Sequence, residues 1–187
     1  MRKLSIFLVM VLIGTTIQAQ STWKSDNAHS KVGFSITHLM ISEVEGSFGE
    51  FDITATADDN FDDASFDVEI KVASIDTDNE NRDNHLKSPD FFDAEKYPSI
   101  TFKSTNFEKT GDKTFALTGD LSMHGVTKSF TLEGKVNGVI TDQRSQKLKA
   151  GLKLTGTVDR LEFGVGGDTP TLGDDVEFTV NLEMAQQ

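Results

Sequence analysis

Four histidines, His29, His38, His85 and His124, stand among 30 acidic residues in a chain of 187 that has no cysteine. Histidine beside carboxylate could bind a transition metal or act as a general base, but metal motifs repeat their ligands at short, recognisable intervals. The four positions follow none of them, and each reads as a structural or solvent-facing residue. Without cysteine there is no thiolate nucleophile and no thiolate metal site. The acidic stretches "ADDNFDD" (57–63) and "GDD" (173–175) lack the spacing of a calcium loop and read as solvated turns. No nucleophile elbow, phosphate-cradling glycine loop or dinucleotide fingerprint is present, and "FGVGGD" (163–168) reads as a flexible loop. The sequence therefore puts forward no catalytic residue, no metal ligand and no cofactor.

One stretch departs from the pattern of its neighbours: "NENRDNHLKSPDFFDAEKYPSITF", residues 79–102. Thr77 and Glu80 fit a T-x-x-E capping box, which starts a helix at Asp78. Arg82, His85 and Leu86 then share one face. Pro89 disfavours helical geometry at Ser88 and stops that helix. Ser88 can cap a second short helix with Pro89 in its first position; this one carries Phe91 and Phe92 and ends before Pro98. The expected result is a helical insertion over about residues 78–96, able to lie across the end of a sheet structure. Two readings of its apolar residues stand: a plug for the core, or a lid over a ligand. Arg82 likewise either pairs with Asp78 or Asp83 or meets a polar ligand group.

The elements that must carry this insertion are strands. Apolar and polar residues alternate in "KVGFSITH" (31–38), "FDVEIKV" (66–72), "SITFKST" (99–105), "TFALTGDLSM" (114–123), "SFTLEGKVNG" (129–138), "KLKAGLKLTGTV" (147–158) and "DVEFTVNLEM" (175–184). Period-two alternation gives strands with one apolar and one wet face, the mark of antiparallel sheet. With "TWKSD" and "GSFGEFDITATA" this makes eight or nine strands. Turns are expected within 108–113, 123–128 and 136–146, and the whole reads as a barrel or a sandwich. Gly119, Gly134 and Gly156 fall in the apolar register of three strands. They mark barrel corners where a strand bends, or leave room for a ligand, and an eight-stranded barrel can hold one small molecule. Thirteen phenylalanines follow residue 19, most in the apolar register. Core packing and a ligand lining would both use them.

Arg2 and Lys3, an apolar run from Leu4 to Ile13 and the small and polar residues of "TTIQAQ" have the layout of a signal peptide, with cleavage expected after Ala19. No cysteine lies there for lipid attachment, and the run is too short to span a bilayer as a helix. Residues 20–187 then form one domain. Without Arg2 and Lys3 the balance is 16 basic to 30 acidic residues, a formal net charge of −14. Such a surface repels phosphate backbones and anionic lipid, so nucleic acid is not an expected partner and membrane contact is at most transient.

Across nearly the whole of residues 20–187 the chain resembles the YceI-like family of polyisoprenoid-binding proteins. The resemblance rests on "WKSDNAHSKVGFSITHLMISEVEGSFGEFD" (23–52), "IDTDNENRDNHLKSPDFFDAEKYPSITFKS" (75–104), "LTGDLSMHGVTKSFTL" (117–132) and "DRLEFG" (159–164). It implies an all-β fold, a lipocalin-like eight-stranded antiparallel barrel with a helical insertion, exported to the periplasm or secreted. It further implies a binding or carrier protein, not an enzyme, whose tunnel takes a long isoprenoid chain such as that of a prenyl quinone or polyprenyl diphosphate. On that basis Phe34, Ile36, Phe51, Phe66, Val68, Ile70, Phe102, Phe115, Leu117, Phe130, Leu132, Leu152, Leu154, Phe178 and Val180 are expected to line the tunnel. Leu86, Phe91 and Phe92 would close or line one end, and Arg82, His85 and His38 would meet the headgroup. A different apolar ligand, such as a fatty acid or amide, would need the same lining. An enzyme acting on such lipids would need His38 or His85 as a base beside a carboxylate. A homodimer is left open.

Overall fold

The computed structural model describes residues 20–187; the expected signal peptide, residues 1–19, lies outside them. The alternating runs form eleven strands: β1 (Ser21–Ser25), β2 (Lys31–His38), β3 (Ser42–Phe48), β4 (Phe51–Ala57), β5 (Ala64–Lys71), β6 (Ile75–Asp76), β7 (Ser99–Lys109), β8 (Thr114–Met123), β9 (Val126–Thr141), β10 (Leu148–Asp159) and β11 (Leu172–Gln186). One α-helix, α1 (Glu80–Lys87), stands between β6 and β7.

Eight strands close into an antiparallel barrel in the order β1–β4–β5–β7–β8–β9–β10–β11, with β11 pairing back to β1. Closure leaves no edge along this ring. β11 is long enough to serve two partners. Its last residues pair with β1 (Met184 with Ser25), while Leu172 to Asn181 pair with β2. β2, β3 and the two-residue β6 thus extend the wall above β1 and β4. Chain reversals alternate between the two ends. The upper end holds residues 39–41, 72–98, 124–125 and 160–171; the lower end holds 58–63, 110–113 and 142–147.

Aromatic side chains fill the barrel near its lower end. Trp23 is fully buried, its ring lies edge-on to Phe61 at 4.8 Å, and its Nε1 donates to the Ala57 carbonyl at 3.4 Å. In "ADDNFDD" the buried Asp58 carboxylate accepts from the backbone N–H groups of Asn60 and Asp62, each at 3.0 Å, and fixes the turn that inserts Phe61.

The inward glycines seat aromatic rings. Gly134 pairs across the ladder with Phe115, Gly119 with Phe130, Gly156 with Phe178 and Gly46 with Phe34. A Cβ at Gly134 would overlap the Phe115 ring, and one at Gly46 the Phe34 ring. At Gly156 and Gly119 the rings in the way belong to Phe130 and Phe102, at 2.7 and 2.6 Å. These glycines leave no void of their own; phenylalanine rings take the space, joined at Gly119 by the Lys103 carbonyl.

Two local expectations are corrected and a third is narrowed. α1 begins at Glu80, and its cap is Asn79, whose side chain accepts the Arg82 backbone N–H at 3.0 Å; Thr77 is used otherwise, as described below. No second helix follows Pro89. Residues 89–96 form linked turns, because the N–H groups of Phe92 and Ala94 reach back to the carbonyls of Leu86 and Lys87 at 3.0 Å. The reversal expected within 136–146 falls late: β9 runs through Gly138 to Thr141, and the turn is closed by Asp142, which accepts from the N–H groups of Arg144 and Ser145.

Candidate functional site

The upper end holds a cavity of about 640 Å³. β2 contributes Phe34, Ile36 and His38, β3 contributes Val44 and Phe48, and β11 contributes Leu172, Val176 and Phe178. The insertion adds Arg82, His85, Leu86, Asp90, Phe91 and Phe92, and the loop after β10 adds Arg160, Val165, Gly167, Thr169 and Thr171. Apolar walls with a few polar groups at one side are the usual make-up of a small-molecule site.

Three rings run in series along one wall. Phe34 lies 5.6 Å from Phe48, and Phe48 lies edge-on to Phe92 at 6.3 Å. Phe91 packs edge-on to His85 at 4.9 Å and sits on Gly166, whose φ of 71° and missing side chain admit the ring. A Cβ there would stand 2.8 Å from the Phe91 ring.

Two arginines hold the polar side, in different ways. Thr77, itself buried, donates from its hydroxyl to Asp83 at 2.6 Å, and Asp83 also accepts the Thr77 backbone N–H at 2.9 Å. Arg82 then donates from Nε to the Thr77 hydroxyl at 2.7 Å and from Nη2 to the Thr77 carbonyl at 2.6 Å. Its link to Asp83 therefore runs through a hydroxyl, in place of the direct ion pair with Asp78 or Asp83. Arg160 is 3% exposed. It donates to the carbonyls of Gly173, Val165 and Gly167 at 2.8, 3.0 and 3.1 Å and lies 3.3 Å from the Asp174 carboxylate. The stretch 163–168, read from sequence as a flexible loop, is held by this one side chain through the Val165 and Gly167 carbonyls.

His85 and Asp90 both border the cavity, with Nε2 and the carboxylate 3.5 Å apart, and both are largely exposed. A histidine beside a carboxylate at the cavity is the feature an enzyme reading requires. The separation is at the limit of a hydrogen bond, and the pair stands at the rim. His38 also borders the cavity. The other two histidines lie elsewhere. His124 meets the Phe163 carbonyl through Nδ1 at 3.2 Å, and His29 meets Asp26 at 3.0 Å. Asp26, His29 and Glu183 bring their ligating atoms within 4.8 Å of one another, which spacing in the chain did not reveal. The Lys149 ammonium stands 2.6 Å from Glu183 and 3.9 Å from Asp26, so a cation already offsets one of the two carboxylate charges of that cluster. The Glu183 carboxylate holds the Lys149 amine above its ordinary pKa, and the bond to His29 holds Asp26 below its own.

The expected lining divides in three. Phe34, Ile36, Leu86, Phe91, Phe92 and Phe178 border the large cavity, with Arg82, His85 and His38. Phe66, Val68, Ile70, Phe102, Leu117, Leu132, Leu154 and Val180 surround a separate void of about 80 Å³ deeper in the barrel, and Phe178 borders both. The other four stand apart from both spaces. Phe51 and Leu152 are buried core, Phe115 stacks on Phe107 at 4.7 Å near the lower end, and Phe130 covers Gly156. Sequence reading missed Val44, Phe48, Val165, Val176 and Arg160. Val44 and Phe48 alternate in "SEVEGSF" and could have been found that way; Arg160 gave no signal beyond its place in "DRLEFG".

Compared with known proteins, residues 23–184 match the YceI-like domain. The chain is 36% identical over 180 residues to protein YceI of Escherichia coli O157:H7, covering 96% of this chain and 93% of that one. It is similar to the crystal structure of a Campylobacter jejuni YceI protein, with a TM-score of 0.75 and 37% identity over 87% of this chain and 96% of the other. A polyisoprenoid binding domain from Saccharophagus degradans shares the fold, with a TM-score of 0.65 at 11% identity over 88% and 98% of the two chains.

Proposed function

As the chain belongs to the YceI-like family, we propose that it is an exported carrier of an isoprenoid lipid, held in the upper cavity with its headgroup at the Arg82–His85 side. The observation that carries this reading is the 640 Å³ cavity walled by Phe34, Phe48, Phe91 and Phe92. The Saccharophagus degradans domain with the same fold is named for binding polyisoprenoids, and that supports the ligand class. A binding role fits the apolar wall better than catalysis does.

The energetics suit exchange. Burial is worth about 0.8 kcal/mol per methylene-sized group. A forty-carbon chain would sum to roughly 30 kcal/mol from water, beyond the practical ceiling of about 20 for non-covalent binding. The lipid's alternative home is a bilayer, which is equally apolar, so transfer lies near balance and pick-up and release are both permitted.

The volume limits the chain. A cavity of about 150 Å³ accommodates benzene; on that scale 640 Å³ accepts roughly twenty-five carbons. A longer isoprenoid must reach past Phe178 into the deeper void or leave its tail outside. The same volume favours a second reading, a fatty acid or amide. Charge bears on the headgroup. Asp90 accompanies Arg82 and His85, and Arg160 is engaged by carbonyls and Asp174. A neutral quinone suits this mouth better than a diphosphate.

Titration with prenyl quinones of increasing chain length, a polyprenyl diphosphate and a fatty amide tests the proposal. Saturable binding of one quinone per chain, tighter than the diphosphate of equal length, is the expected result. Saturable binding of the amide alone would replace the isoprenoid reading with the second one.

A further inference from the structure

Leu39, Met40 and Ile41 form the turn between β2 and β3 and are 48%, 76% and 85% exposed, the first three of the four exposed large apolar residues among those described. They follow directly on His38, which borders the cavity. Leu39 and Met40 hold φ values of 52° and 59°, a left-handed backbone that costs non-glycine residues energy. The Leu39 N–H donates at 2.8 Å to the carbonyl of Thr171, another residue of the cavity rim. A strained, hydrogen-bonded turn thus holds three apolar side chains outward beside the opening.

Resting on the carrier reading, we propose that this tip is a membrane-docking element, inserting into a bilayer surface of low negative charge so that the cavity mouth meets the lipid it exchanges. Charge and area select this occupant. Residues 37–45 and 167–175 carry Glu43, Glu45, Asp168, Asp174 and Asp175 and no lysine or arginine; Asp174 is engaged by Arg160. An acidic collar disfavours anionic lipid. It also disfavours a second copy of the chain, since a two-fold contact through the tip brings the collar against itself. Three side chains offer a few hundred Å², short of the roughly 800 Å² per partner of a stable protein interface. Insertion into a bilayer needs no such area, because each apolar side chain leaves water independently.

The test is flotation with phosphatidylcholine vesicles, comparing the parent with the double variant M40D/I41D on the same N-terminus, so that residues 1–19 contribute equally. Both substituted side chains are exposed, and an unchanged thermal midpoint verifies the fold. The parent should partition to neutral vesicles at least about tenfold more strongly than the variant. Replacing phosphatidylcholine with phosphatidylglycerol should weaken the parent, and added salt should restore it. Equal flotation of parent and variant overturns the proposal. So does a concentration-dependent dimer that the variant abolishes, which would make the tip an interface between copies. Docking that survives while no lipid is found in the cavity would sink the carrier reading and leave the docking intact.

Discussion

The ring of Phe34 occupies the place of a side chain at Gly46, its partner directly across the β2–β3 ladder. A Cβ at Gly46 would also approach the methyl of Thr77 to 2.8 Å, and Thr77 anchors Arg82. One glycine therefore sets both an aromatic wall of the cavity and the cation at its mouth. Gly46→Ala should cost about 1–3 kcal/mol as overpacking and reduce lipid capacity. Phe34→Leu in the same chain should recover part of the loss. Thermal melts and a lipid titration of the three variants check this; a neutral G46A would contradict it.

Phe178 separates the large cavity from the deeper void. Phe178→Ala should join them, at a stability cost up to about 3–5 kcal/mol. Bound lipids recovered from the variant should shift towards longer chains. An unchanged length distribution in a folded variant would show that the chain does not run past this ring.

Arg160 ties three loop carbonyls and Asp174 into one clamp. Arg160→Met keeps much of the volume but leaves the buried Val165 carbonyl without its partner, at about 1–3 kcal/mol. Hydrogen exchange should accelerate over residues 163–175, with the lower end of the barrel unaffected. Uniform acceleration over the whole chain would mean that Arg160 supports the global fold and does not act on the rim alone.

His29 bonded to Asp26 holds that carboxyl below its ordinary value of 3.8, assisted by the Ala28 N–H and the charges of His29 and Lys149 against partial desolvation. A folded pKa below the unfolded one stabilises the native state above the unfolded pKa, and the benefit is lost as pH falls through the folded one. Asp26→Asn should therefore melt lower than the parent at neutral pH, and the two curves should converge as pH drops below 3.8. A constant gap down to the acid limit would assign the effect of Asp26 to shape and not to charge.

The barrel was legible because alternation is a local property: "FDVEIKV" and "KLKAGLKLTGTV" each fix a strand and its inward face without reference to distant residues. The insertion was legible in place but not in detail. Asn79 and Thr77 both offer a capping oxygen, and Asp83, six residues beyond Thr77, decides between them by taking the Thr77 hydroxyl and N–H. The inward glycines left free space undecided, since only cross-strand register shows that Phe115 faces Gly134. Register also separates the residues at the large cavity from those at the deeper void. Arg160 was invisible because three of its four acceptors are backbone carbonyls, which every sequence has.

The most direct test of the central claim is mass spectrometry of organic extracts from protein purified natively, without detergent. The account predicts an isoprenoid lipid near one per chain, lost when Phe34 and Phe92 are both replaced by aspartate in a variant that still folds. Repeated extracts holding no prenyl lipid, or the same lipid at the same level in that variant, would contradict it.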